Sequence, residues 1–200
     1  MSNQSPLLEL KNISKKLGHR NIISDLSLTI GNSSTTLITG ENGAGKTTLL
    51  KIAANLLSID SGVIHRNNLH SVYYVGNSPG LYSKLSVLEN LLFFSNLNQL
   101  DQINTLLNKW GLHTVTNTHV GVLSKGQQIR LALLIATSLN NKLIILDEPS
   151  AFLDDTAVNL LVAMIDANLN QNSFLIATHD TTRLSRSGFT SYHLKEGKLT

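Results

Sequence analysis

The chain has 200 residues, 42% of them hydrophobic and 14% charged, with a formal net charge of +3. That length and apolar share suit one folded domain with a buried core and exclude a disordered or collagen-like chain. With no cysteine, disulfides and thiolate metal sites are excluded, and the small, scattered basic excess forms no nucleic-acid patch.

Residues 7–13 and 26–30 alternate apolar with polar and read as half-buried strands. Residues 35–39 are a β-branched, apolar run ending abruptly at Gly40, and 46–57 read as a helix with Leu49, Leu50, Ala53 and Leu57 on one face. Asp60-Ser61-Gly62 is expected to be a turn, 71–75 a strand, and 87–97 and 102–110 helices, the second stopped by Gly111. Ser124 can cap a helix to about 138, and 142–146 read as a central parallel strand. Asp154 opens a helix to about 169, 173–178 form another buried strand, and 191–199 suggest an edge strand turning at Glu196-Gly197. Alternating strands and helices predict an α/β fold. No apolar run approaches the ~20 residues that span a bilayer. Residues 1–6 have neither a signal-peptide nor a transit-peptide pattern.

The densest chemical signal is Gly40-Glu41-Asn42-Gly43-Ala44-Gly45-Lys46-Thr47, which fits G-x-x-x-x-G-K-[ST] between a strand and a helix. Phosphate oxygens need several backbone N–H donors converging on one point. Glycines at 40, 43 and 45 let the main chain bend and approach closely. The helix that follows adds free N–H groups and partial positive charge. Lys46 can reach the β- and γ-phosphates, and Thr47 can offer its hydroxyl to Mg²⁺. Residues Gly40 through Thr48 are therefore the candidate phosphate cradle.

Leu123-Ser124-Lys125-Gly126-Gln127-Gln128 lies between this loop and a strand ending in carboxylates. A serine hydroxyl and a glycine N–H at a helix start make an anion site, and the same residues serve as an ordinary helix cap. The run resembles the LSGGQ signature of ABC ATPases, with Lys125 in place of the first glycine, and the resemblance spans essentially the whole chain. It implies a P-loop NTPase fold of ABC type: α/β, with a mixed, mostly parallel sheet, N-terminal antiparallel strands and an inserted helical subdomain. Residues 1–200 would form a single ATP-binding domain, with its core at 1–80 and 140–200 and the helical subdomain at about 81–139. The resemblance also implies that Ser124, Lys125, Gly126 and Gln127 close over the γ-phosphate held by a second copy. A head-to-tail dimer with two ATP molecules at its interface follows.

Leu143-Ile144-Ile145-Leu146-Asp147-Glu148 is an apolar strand ending in two carboxylates, at the carboxyl end of the sheet where nucleotides sit in open α/β folds. It resembles the family's Walker B motif, which assigns Asp147 to Mg²⁺ through its water shell and Glu148 to the attacking water. Residues 150–154 occupy the place of the family's D-loop. Ala151 stands where its serine falls, and Asp154 is equally suited to capping a helix. His179 matches the family's switch histidine, so Glu148 and His179 are the catalytic candidates.

Two positions depart from the family pattern. Asn77 aligns with a glutamine that touches Mg²⁺; its amide is one methylene shorter, which favours a water-bridged contact. Leu17 aligns with the aromatic that stacks on adenine, so apolar contact is expected instead of stacking. Together with residues 74–92 and Gln127-Gln128, these departures are similar to the ATP-binding subunits of cytochrome c maturation haem exporters. That subgroup implies integral membrane partner subunits docked near residues 77–89. It also implies a peripheral position on the cytoplasmic face of a bacterial inner membrane, or the matrix face of the mitochondrial one if organelle-encoded. The expected cofactors are ATP and Mg²⁺, with no nucleic-acid partner.

The alternatives are the ATPase subunit of another ABC exporter and a non-transport ABC ATPase. Roughly 75 residues between phosphate loop and signature are too few for the long coiled coil of chromosome ATPases. Translation factors of the family usually carry two such domains. A soluble iron–sulfur assembly ATPase remains, and co-purification with membrane proteins separates it from a transporter subunit.

Overall fold

The structure is a computed structural model that describes residues 5–67, 69, 71–95, 97, 99–139, 143–179, 181–184 and 188–200. Lys142, the predicted start of a strand, and Asn96, inside a predicted helix, lie outside these residues, as do positions 1–4. Along the chain, β1 (Leu8–Leu17) and β2 (Arg20–Ile30) form a hairpin, and β3 (Thr35–Thr39) leads into α1 (Lys46–Ala53). β4 (Ser61–Arg66) and β5 (Val72–Val75) precede α2 (Val87–Phe94), α3 (Leu100–Lys109) and α4 (Lys125–Ser138). Then come β6 (Leu143–Asp147), α5 (Asp155–Asn168), β7 (Ser173–Ala177), α6 (Thr181–Leu184), β8 (Thr190–Lys195) and β9 (Lys198–Leu199).

The larger sheet has the order β5-β6-β7-β3-β8-β9. Its first five strands are parallel, and β9 closes the edge antiparallel to β8. The smaller antiparallel sheet has the order β2-β1-β4. The period of two along the central strands explains the layering. Ile144, Leu146, Phe174 and Ile176 face a cluster with α4 and α5, whereas Leu143, Ile145, Leu175 and Ala177 face α1 and the antiparallel sheet. Both faces of β6 and β7 are covered, so these strands read as unbroken apolar runs.

Helices α2 to α4 form the predicted helical insertion. Its side chains, among them Val87, Leu107, Trp110 and Leu134, belong to the same hydrophobic cluster as one face of the large sheet. Ser86 starts α2 with a capping box: its hydroxyl accepts from the Glu89 N–H while the Glu89 carboxylate accepts from the Ser86 N–H.

Several boundaries differ from expectation. The first two strands run longer than predicted because the hairpin continues past the alternating segment to Leu17 and Arg20. Ser61 and Gly62, predicted as part of a turn, begin β4; Gly62 has φ +98, and a Cβ there would meet the Asn12 carbonyl at 2.6 Å. α1 stops at Ala53 rather than 57, where Asn55 turns left-handed with φ 62. Of the predicted 191–199 edge strand only β9 lies at a sheet edge, because β8 pairs with β3 on its other side.

Candidate functional site

Strands β5, β6, β7 and β3 are neighbours, and their carboxyl ends bring Asn77, Glu148, His179 and the Gly40–Lys46 loop into one row. A cavity of 310 Å³ lies over the loop, lined by Ile22, Asn42, Gly43, Gly45, Lys46, Thr47, Thr48, Asn77 and Glu148. Residues from separate stretches of sequence thus meet at the N-terminus of α1. Glu41 and Ala44 line an adjoining cavity instead, which shares Ile22, Asn42 and Gly43 with the first. Gly40 passes against β8, where a Cβ would collide with the Leu194 carbonyl. Only glycine allows the loop to pass so close to β8.

Lys46 is 6% exposed, so its ammonium needs partners. It donates to the carbonyls of Gly40 at 2.8 Å and Glu41 at 3.1 Å, and its Nζ lies 3.3 Å from Glu148 Oε1. The other oxygen of Glu148 accepts from the His179 backbone N–H at 3.2 Å and meets His179 Nδ1 at 2.8 Å. Glu148 itself has φ 50, a left-handed conformation rare for a side chain of this kind, and its N–H is held by the Ala177 carbonyl at 2.9 Å. Such backbone strain costs on the order of 1–3 kcal/mol and gathers at functional sites.

Asp147 is buried at the end of β6. Its Oδ2 accepts a hydrogen bond from the Tyr74 hydroxyl at 2.9 Å, and its Oδ1 is buried with no hydrogen-bond partner among the described residues. Burial first, then the Asp147 charge, push the Tyr74 phenol well above its ordinary range, which keeps it a donor. A buried carboxylate oxygen without a partner among the described residues fits a hard cation such as Mg²⁺, which takes oxygen ligands.

The serine-led helix start lies elsewhere. Ser124, Gly126, Gln127 and Asp154 line a cavity of 400 Å³ together with Gly111, Arg130 and Phe152. None of these residues lines the cavity over Lys46. Ser124 caps α4 by accepting from the Gln127 N–H at 3.2 Å, and Gln127 Oε1 accepts from the Ser124 N–H at 2.9 Å. Lys125 is the first residue of α4 and is half-buried. Gly126 packs against the 150–154 loop, where a Cβ would meet the Phe152 carbonyl at 2.8 Å. Asp154 caps α5 through the Ala157 N–H at 2.8 Å and pairs with Arg130 Nη2 at 2.6 Å. These contacts, the N-cap bond foremost, hold its carboxyl below the usual range.

Three residues at these sites had no sequence signal: Ile22, which lines both loop cavities, Tyr74 and Arg130. Leu17, aligned with the adenine aromatic, is 47% exposed at the β1–β2 turn and lines neither loop cavity, whereas Ile22 lines both. Among the described residues, no helix is long and apolar enough to cross a membrane, and no group of three or more His, Cys, Asp or Glu side chains could hold a metal ion by itself.

Comparison with known proteins agrees with this geometry. A sequence family described as ABC transporter matches residues 23–151. The cytochrome c biogenesis ATP-binding export protein CcmA of Roseobacter denitrificans is 36% identical over 159 residues, covering 79% of this chain and 77% of the relative. Its counterpart in Ruegeria pomeroyi is 37% identical over 159 residues, covering 79% and 78%. The lantibiotic transport ATP-binding protein SrtF of Streptococcus pyogenes is 29% identical over 203 residues, covering 96% and 89%. Among solved structures, an ATP-binding subunit of an ABC transporter superposes with a TM-score of 0.83 at 24% identity, covering 96% of this chain and 88% of that one. A dimeric post-hydrolysis cassette bound to ADP and Pi superposes with a TM-score of 0.78 at 24% identity, covering 96% of both chains. With a family match over more than half its length and relatives above 30% identity across most of it, this chain belongs to the ABC transporter family, as one of its ATP-binding ATPase cassettes.

Proposed function

We propose that the chain is the ATP-hydrolysing subunit of a membrane transporter that powers haem export for cytochrome c biogenesis, working as a pair of identical cassettes. The observation that carries the paired site is the separation of the two cavities. Lys46, Glu148 and Asn77 share one, and Ser124, Gly126 and Gln127 share another with no residue in common. The signature of one copy is then free to complete the phosphate site of its twin. The haem reading is supported by the two bacterial relatives named for cytochrome c biogenesis.

In this scheme the phosphate chain replaces the Gly40 and Glu41 carbonyls as the partner of Lys46. Backbone N–H groups from Gly43 to Thr48 cradle the phosphates at the start of α1. Thr47 and Asp147 would hold magnesium, with Asn77 reaching it through water, and the ion would neutralise phosphate charge. Glu148, released from Lys46, orients and polarises the attacking water while His179 contacts the γ-phosphate. The ATP-bound dimer separates once the bridging phosphate is cleaved.

Membrane subunits would dock on the α2 face. Tyr82 and Phe93 are 49% and 61% exposed, their rings 4.8 Å apart, and they line an apolar cavity of 400 Å³ with Lys84 and Leu85. An exposed aromatic patch of this kind marks a partner surface. The protein would sit at the cytoplasmic face of a bacterial inner membrane.

The test is genetic and biochemical. A strain lacking this chain should lose covalently haem-bound c-type cytochromes, and the wild-type protein should restore them while Glu148→Gln should not. The chain should co-purify with integral membrane proteins from detergent extracts. Unaltered cytochromes in the deletion strain, with membrane proteins still captured, would favour another cargo, as the match to a lantibiotic transport protein allows.

A further inference from the structure

The two carboxylate oxygens of Asp147 have different surroundings. Oδ2 is engaged by the Tyr74 hydroxyl at 2.9 Å, whereas Oδ1 is buried without a hydrogen-bond partner among the described residues. A carboxylate turns as one unit about its Cβ–Cγ bond, through a broad and shallow torsional well. Fixing one oxygen therefore fixes the other. Tyr74 reaches across from the neighbouring strand, where it pairs with Ile145, two residues before Asp147. Gly76 makes that reach possible: a Cβ there would lie 2.6 Å from Tyr74 Cε1 and 2.7 Å from its Oη. Any other residue would collide with the ring. Asn77 follows immediately and lines the phosphate cavity, so one short loop sets both the amide and the ring.

We propose that Tyr74 is a positioning residue for magnesium, holding Oδ2 of Asp147 so that Oδ1 is the oxygen left for the metal or for a metal-bound water. This rests on the reading that Asp147 serves the metal. A partner that orients a ligating carboxylate typically accounts for about 10–100-fold in metal affinity. The mechanism is preorganisation: a carboxylate already locked loses no rotational freedom when the cation arrives. Tyr74 lines neither loop cavity. Its effect should appear in metal binding and not in nucleotide binding as such.

The experiment uses the full chain with a non-hydrolysable ATP analogue and Mn²⁺ as the probe, followed by electron paramagnetic resonance. Tyr74→Phe keeps the ring and removes the hydroxyl. It should weaken Mn²⁺ binding about 10-fold and leave affinity for the analogue in EDTA within about twofold. Gly76→Ala keeps the hydroxyl but displaces the ring, and should weaken Mn²⁺ similarly. Wild-type Mn²⁺ affinity in either variant overturns the proposal. So does an equal loss of analogue affinity with and without metal, which would mark a purely structural role. Asp147→Asn separates the two claims. If it binds Mn²⁺ like the wild type, the assignment of Asp147 to the metal fails. If it weakens Mn²⁺ while Tyr74→Phe does not, only the positioning role fails.

Discussion

Lys46 and Glu148 form an ion pair in the cavity over the Gly40–Thr48 loop, Nζ lying 3.3 Å from Oε1, so the residue proposed for phosphate and the residue proposed for water hold each other. Both side chains are largely removed from solvent, at 6% and 18% exposure. On the proposed reading, nucleotide entry must break a shielded charge pair and offer Lys46 a better anion. A triphosphate does so, because several oxygens replace one carboxylate and two carbonyls.

Lys46→Ala tests this arrangement directly. It should abolish nucleotide binding, and it should also destabilise the empty protein by about 1–3 kcal/mol, since a shielded carboxylate and two carbonyls lose a charged donor. Urea unfolding measures the second effect. Thermal shift measures the first: at about 100 times Kd, MgATP should stabilise the wild type by roughly 2.7 kcal/mol and the variant not at all.

Glu148→Gln keeps the side-chain shape and removes the charge. Hydrolysis should fall about 10²–10⁴-fold, the range for loss of a general base. Nucleotide binding should persist, and the ATP-bound dimer should accumulate in light scattering because the phosphate that joins the copies stays uncleaved. His179→Ala combined with Glu148→Gln should cost far less than the sum of the single losses. The two residues share a 2.8 Å contact, and residues acting as one unit are not additive. Full additivity in kcat would separate their roles.

Much of this site was legible in the sequence because its parts are local. The phosphate loop is a fixed spacing of glycines ahead of Lys46, and the carboxylates end an apolar run, so both motifs announce their strand and helix context. What was not legible depends on distance. Tyr74 and Asp147 are 73 positions apart and Arg130 and Asp154 are 24 apart, and neither pair has a spacing rule. The left-handed backbone of Glu148 was hidden for another reason: it is imposed by the turn between β6 and α5, and side-chain identity gives no sign of it. β4 was missed because its residues are mostly exposed and lack alternation, the expected character of an edge strand.

Asp154 predicts a pH dependence. The Ala157 N–H and then the Arg130 charge favour its ionised form, so its folded pKa lies below the unfolded value. A depressed carboxylate contributes stability that is present above the unfolded pKa and is lost as pH falls through the folded one. Asp154→Asn can still cap α5 but cannot pair with Arg130. Its melting temperature should fall below that of the wild type at neutral pH, and the gap should narrow as pH drops below about 4. A gap that widens in acid would reverse the sign and remove the ion pair from the account.

Ser124 caps α4, and the proposed function gives it a second duty that substitution can separate from the first. Its hydroxyl accepts from the Gln127 N–H at 3.2 Å, which caps α4, and loss of such a cap costs about 1 kcal/mol. Ser124→Ala should therefore lower stability by that amount in a dilute, nucleotide-free sample, where no second copy is engaged. Ser124→Asp restores a capping side chain but places a carboxylate where the twin's γ-phosphate would sit, and like charges there repel. If the serine faces a partner's nucleotide, Ser124→Asp should regain wild-type stability in urea and still fail to form the ATP-dependent dimer. A variant that recovers stability and dimer together would mean the hydroxyl only caps its own helix. On the first outcome, stability and association respond to different groups, one inside the chain and one across the pair, and only the second depends on protein concentration.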